Sequence, residues 1–229
     1  MLNKNSFIQI AGVKNREEAQ MLVSCGADYI GFPLRLDYNQ EDLSEDEAAA
    51  IIRELPATTQ AVLITYLDKA DEIIQLSSKL TTKAIQLHGE ISCGELRQIK
   101  NGFPELQIIK SLIIGKTSER IILKNMQSCI EWVDAFLLDT FDPITGASGA
   151  TGKIHNWGIS RRLVEISHRP VILAGGLTPL NVCQAILTVK PAGVDVHSGV
   201  ENRDGCKDQQ LVKKFVSEAR KAFRMIERS

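Results

Sequence analysis

The chain has 229 residues, 44% hydrophobic and 24% charged, and its 27 basic and 28 acidic side chains leave a net charge of −1. That balance suits one soluble α/β domain and, with no basic block, argues against nucleic acid as a main partner. No apolar run approaches the ~20 residues that cross a bilayer, and the polar start Met1-Leu2-Asn3-Lys4-Asn5-Ser6 has no signal-peptide pattern, so a cytoplasmic protein with no membrane partner is expected.

Short β-rich runs alternate with stretches of helical apolar spacing. In chain order, strands are expected at Phe7–Ala11, Tyr29–Phe32, Gln60–Thr65, Ala84–Leu87, Gln107–Lys110, Ala135–Leu138, Val171–Ala174 and Gly193–Val196. Helices are expected at Arg16–Cys25, Glu45–Glu54, Asp71–Leu80, Cys93–Lys100, Ser118–Ser128, Gly158–Ile166, Leu180–Val189 and Gln209–Ile226. Ser44 ahead of Glu45-Asp46-Glu47, and Thr178 ahead of Pro179, read as helix starts. Strict alternation calls for parallel strands with right-handed crossovers. Continuous apolar runs such as Phe136-Leu137-Leu138 suit a sheet covered on both faces. The expectation is a single (β/α)8 barrel, a TIM barrel, over residues 1–229; an open doubly wound sheet satisfies the same alternation.

Function in such a barrel gathers where strands meet the following helices. Ala174-Gly175-Gly176-Leu177-Thr178-Pro179 follows one late strand, and His197-Ser198-Gly199-Val200-Glu201 follows the next. Glycines let backbone approach a ligand, and helix starts offer N–H groups to an anion. Two such units near the C-terminus mark a phosphate site, and Gly175, Gly176, Ser198 and Gly199, with His197 and Asp195 beside them, are its candidates. Asp139 ends an apolar strand, where a partly desolvated carboxyl suits general-acid work; a loop cap is the plain alternative. His88, in Gln86-Leu87-His88-Gly89, can polarise a substrate or bond a loop. The Gly/Ser/Thr-rich segment from Thr140 to Asn156 has the composition of a lid, with Gly152 placed to cover an anion. Lys110 raises a Schiff-base aldolase as a minor reading. Five scattered cysteines without a CxxC pair, and four histidines without ligand spacing, point to reduced thiols and no metal.

Taken together, these segments resemble the phosphoribosylanthranilate isomerase family of tryptophan biosynthesis over nearly the whole chain. The resemblance rests on Ile10-Ala11-Gly12-Val13, Gly26 to Phe32, Ala84 to Gly89, Leu137 to Thr140, Gly149 to Lys153 with Trp157, Ala174 to Leu177 with Pro179, Asn181 and Val182, Val194 to Glu201, and Gly205, Lys207 and Asp208. It implies an Amadori rearrangement without cofactor: an acid opens the ribose ring of a phosphorylated aminoaldose, and a base then moves a carbon-bound proton to reach the aminoketose. Asp139 matches the family's acid. The family's base is a cysteine in the first motif, where this chain has Ala11. The family's arginine loop after the second strand is also altered, with Arg35 as the available substitute, and His197 stands where the family has a small residue. The expectation is therefore a phosphoribosylanthranilate isomerase-like enzyme of a small phosphorylated sugar, monomeric or homodimeric, with a base recruited from His88, His197 or Asp195. A barrel acting on another sugar phosphate, or a non-catalytic phosphometabolite-binding module, is the alternative.

Overall fold

Eight parallel strands close into a barrel in strictly sequential order in the computed structural model, which describes residues 6–36, 41–141 and 154–228. The strands are β1 (Phe7–Ala11), β2 (Tyr29–Pro33), β3 (Gln60–Thr65), β4 (Ala84–Leu87), β5 (Gln107–Ile114), β6 (Ala135–Thr140), β7 (Val171–Leu173) and β8 (Gly193–Val196). The helices are α1 (Arg16–Ser24), α2 (Glu45–Glu54), α3 (Ala70–Leu80), α4 (Cys93–Gly102), α5 (Glu119–Cys129), α6 (Trp157–Ile166), α7 (Val182–Val189) and α8 (Gln209–Glu227), with a 3-10 turn at Ser198–Val200. The closing seam pairs Gln9 with Asp195 and Ile10 with Val196. The barrel, not the open sheet, is the fold.

Side-chain alternation divides the molecule into two cores. Phe7, Ala11, Tyr29, Val62, Ile64, Ala84, Ile109, Ala135, Leu137, Ile172 and Ala174 fill the lumen. The other strand face packs against the helices through residues such as Ile8, Ile10, Ile30, Leu63, Ile85, Phe136 and Leu138. Gln9 and Gln86 occupy lumen positions in β1 and β4, and Gln9 Nε2 donates to Gln86 Oε1 at 2.7 Å. A polar bridge thus crosses the barrel where only inward side chains can meet.

Local chemistry fixes the helix starts. Ser44 and Glu47 form a reciprocal capping box on α2, and Asp208 accepts from the first N–H groups of α8. Helix α8 buries Val212, Phe215, Val216, Ala219, Ala222 and Phe223 along one face and closes the outer ring by packing on α7 and α1. Glu18 of α1 accepts from the Lys14 N–H at 2.8 Å and the Lys207 N–H at 2.6 Å. One carboxylate therefore ties the loop after β1 to the loop after β8.

Most boundaries lie within two residues of the sequence-based expectation, and three of the differences bear on the mouth of the barrel. Strand β5 runs on to Ile114 because Ser111, which interrupts the apolar run, faces the lumen while β5 keeps pairing β6 as far as Thr140. Asp139 consequently lies inside β6. Helix α7 begins at Val182, not Leu180. Asn181 ties off a separate turn before it: its Oδ1 accepts from the Thr178 N–H at 2.8 Å and its Nδ2 donates to the Gly176 carbonyl at 2.9 Å. Gly152, most of the expected lid, and residues 37–40 of the loop that follows Arg35 lie outside the described residues.

Candidate active site

The C-terminal mouth gathers candidates from β4, β6, β7 and β8. Asp139, 6% exposed, sits near the top of the lumen. Burial pushes its carboxyl up from the usual range, against the opposing pull of the His88 charge and the Thr140 N–H, which donates to Oδ1 at 2.7 Å. Burial thus favours the protonated form of a carboxyl near the top of the lumen. His88 stands beside it, with Nδ1 3.1 Å from Ser111 Oγ and the ring edge-on to Tyr66 at 5.1 Å between centroids.

Deeper in the same lumen lies Asp195, which pairs with Gln9 of β1. Its carboxyl is pushed up to about 7 by burial first and by the Asp139 charge second, while Gln9 and Lys207 pull the other way. Asp195 Oδ1 and Gln9 Oε1 are both buried acceptors without a donor among the described residues, an arrangement that a proton on Asp195 relieves. An unfolded aspartate titrates near ~3.9, so the folded chain holds the extra proton between about 4 and 7. Stability therefore falls as pH rises through that window and stays reduced above it. Asp195→Asn removes the penalty and supplies an N–H for Gln9. We expect the variant to melt roughly 5 °C above wild type at pH 8, an advantage that shrinks toward pH 4. Circular-dichroism melts across that range check this, and a constant offset would refute a protonated Asp195.

The two glycine loops meet backbone to backbone. A β-carbon on Gly199 would fall 1.8 Å from the Leu177 carbonyl oxygen, and one on Gly175 would fall 2.0 Å from Thr140 Oγ1 and 3.1 Å from Asp139 Oδ1. Gly175 and Gly176 both hold positive φ, 81° and 63°. Their N–H groups take no acceptor among the described residues, and the first N–H groups of the 3-10 turn at Ser198 have no intrahelical partners. The result is a backbone-lined cradle whose wall is shared with Asp139, a geometry able to receive an anion.

On the opposite side of the cradle, His197 packs across the β1–β8 seam. A β-carbon on Gly12 would lie 2.1 Å from His197 Nε2, so the imidazole rests on the residue after Ala11. Burial, followed by the Lys207 charge, brings His197 down to about 4, leaving the ring neutral at physiological pH. Nε2 is 3.3 Å from Glu201 Oε1, and the same oxygen receives the buried Lys207 Nζ at 2.6 Å.

Other groups are committed elsewhere. Lys110 faces away from the lumen and gives Nζ to the carbonyls of Ser111 at 2.8 Å and Gly89 at 3.0 Å, with its amine lowered to about 8 by burial. This cage does not present the amine to the mouth, so the aldolase reading is dropped. Arg35 donates Nε to Glu45 Oε1 at 2.7 Å. Sequence reasoning does not reach a bonded chain behind Asp139, in which Thr140 Oγ1 is 2.8 Å from His155 Nδ1 and His155 Nε2 is 2.6 Å from Ser160 Oγ. It clasps the end of β6 to α6, and His155 sits in an aperiodic segment that gives no signal of it.

A closed (β/α)8 barrel with a buried carboxyl and two glycine loops meeting at its C-terminal face has the arrangement of a barrel enzyme. The chain matches the family model for N-(5'-phosphoribosyl)anthranilate (PRA) isomerase over residues 8–218, and it belongs to that family. It is 39% identical over 218 residues to N-(5'-phosphoribosyl)anthranilate isomerase 2 of Methanosarcina mazei, covering 94% of this chain and 95% of the relative. It is 34% identical to the N-(5'-phosphoribosyl)anthranilate isomerase of Methanothrix thermoacetophila, covering 93% and 97%. The crystal structure of phosphoribosyl anthranilate isomerase from Thermotoga maritima superposes with a TM-score of 0.80 at 31% identity, covering 94% and 98%.

Proposed function

We propose that this protein isomerises N-(5'-phosphoribosyl)anthranilate to the corresponding aminoketose phosphate. The observation that carries the reading is the shared wall between acid and cradle: a β-carbon on Gly175 would lie 3.1 Å from Asp139 Oδ1. A sugar phosphate held by Gly175, Gly176, Ser198 and Gly199 places its ring beside that carboxyl. Asp139 protonates the ring oxygen, the C1–O bond breaks, and the nitrogen lone pair forms the Schiff base. Loss of the C2 proton then gives the enolamine, which becomes the ketone. The sequence of steps moves protons only and calls for no cofactor. His88 polarises the opened sugar, and Ala11 occupies the position of the family's base.

The reading extends to the whole chain: one domain over residues 1–229, monomeric or homodimeric, in the cytoplasm, serving tryptophan biosynthesis. Among the described residues no helix is long and apolar enough to cross a membrane. One observation favours a second reading, a different sugar phosphate as substrate: the Arg35 guanidinium, the available partner for an anthranilate carboxylate, is already paired with Glu45. Freshly made N-(5'-phosphoribosyl)anthranilate, followed by loss of anthranilate fluorescence, separates the two. Saturable turnover is the expected result. No turnover by protein that a reduced analogue of the aminoketose phosphate product stabilises against heat would leave a binder or an enzyme of another phosphosugar.

A further inference from the structure

An aldose–ketose isomerisation needs a base as well as an acid, and the last residue of β1, Ala11, has only a methyl group. We propose that His197 removes the C2 proton, with Glu201 and Lys207 holding its ring against the end of β1; this rests on the isomerase reading above.

Three mouth residues can accept a proton. Asp195 pairs with Gln9, deeper in the lumen than the end of β1 at Ala11. His88 stands on the acid's own side, where its charge acts on Asp139 and its Nδ1 engages Ser111. His197 lies across the seam from β8 to β1, directly over Gly12, and 35% of its side chain is open to solvent. The neutral imidazole carries one proton. Glu201 Oε1 stands 3.3 Å from Nε2 as a charge contact, not a hydrogen bond; its negative charge draws the ring proton to that side and leaves Nδ1 as the acceptor. Nδ1 takes no hydrogen bond among the described residues. The charged groups facing the ring are Lys14 after β1, Asp42 after β2, and Glu201 and Lys207 after β8. Glu201 is pinned by Lys207, whose Nζ also reaches the His197 carbonyl at 3.3 Å. The imidazole is thus braced from behind.

The step balances. The C2–H bond breaks and its proton goes to Nδ1. The electron pair forms the C1–C2 double bond, and the iminium electrons return to nitrogen as the neutral enolamine. The imidazolium then delivers its proton to C1 as the C2 hydroxyl proton passes to the Asp139 carboxylate, which leaves the ketone at C2 and both groups in their starting states.

The test uses the full chain with N-(5'-phosphoribosyl)anthranilate as substrate, wild type against His197→Asn and against Ala11→Cys/His197→Asn, from pH 4 to 9. We expect His197→Asn to lose at least ~100-fold in kcat, the range of a lost general base, with KM within about threefold. The acidic limb of the wild-type kcat profile should vanish in this variant, and Ala11→Cys should restore turnover at least ~10-fold by placing a thiolate at the end of β1. A fall confined to KM would make His197 a phosphate contact and overturn the assignment. An unchanged pH profile without rescue would make its role structural and overturn the assignment equally. Activity within threefold of wild type would reject His197 as base yet leave the isomerase reading intact, whereas a wild type without turnover would remove both.

Discussion

Asp139→Asn is expected to cut kcat for N-(5'-phosphoribosyl)anthranilate by ~10²–10⁴ while KM moves little. The asparagine has the same shape, and its Oδ1 can keep the Thr140 N–H bond now 2.7 Å long, so β6 and the barrel are preserved. What disappears is the acidic proton. Burial is the largest influence on Asp139 and keeps the carboxyl protonated above the usual range, opposed by His88 and the Thr140 N–H. Ring opening needs that proton at the sugar oxygen as the C1–O bond breaks. An amide cannot supply it. For the same reason wild-type kcat should decline on the alkaline side as Asp139 ionises, and that limb should be missing from Asp139→Asn. Steady-state fluorescence assays across pH measure both effects. A variant with wild-type kcat would strip Asp139 of the acid role, and the shared wall between carboxyl and cradle would then be a packing contact only.

Asp139 was legible in the sequence because a charged residue at the end of Ala135-Phe136-Leu137-Leu138 has few bland explanations. The barrel was legible for a related reason: eight repetitions of one period-switch leave few topologies. Boundaries were harder where a polar side chain points into the lumen. Ser111 looks like a strand end until β6 is known to continue alongside it. The relation of His197 to Gly12 depends on closure of β8 onto β1, a contact between opposite ends of the chain that no local pattern encodes. The engagement of Arg35 with Glu45 is likewise invisible before α2 is in place. His155 is the extreme case, since its partners Thr140 and Ser160 flank an aperiodic loop.

Gly199→Ala is expected to raise KM for the phosphorylated substrate more than tenfold with a smaller change in kcat, and to cost about 1–3 kcal/mol of stability as an overpacked contact. The new methyl would meet the Leu177 carbonyl oxygen at 1.8 Å and Thr178 Cα at 3.3 Å. Both are backbone atoms, so no rotamer change relieves the clash. The loop after β8 must instead move away from the loop after β7, opening the cradle that the two build together. Gly26→Ala provides the control. Gly26 also has positive φ, 88°, but its β-carbon would approach nothing closer than 3.7 Å, at Val216 Cγ1. It lies between α1 and β2, at the opposite end of the barrel from the mouth. That substitution should cost about 1 kcal/mol from backbone strain and leave both kinetic constants alone. Urea unfolding and steady-state kinetics on the pair separate strain from cradle geometry. Equal KM values in the two variants would mean that contact between the loops is not what holds the phosphate. A selective rise in Gly199→Ala would locate the binding energy in the join between β7 and β8, next to the wall that carries Asp139.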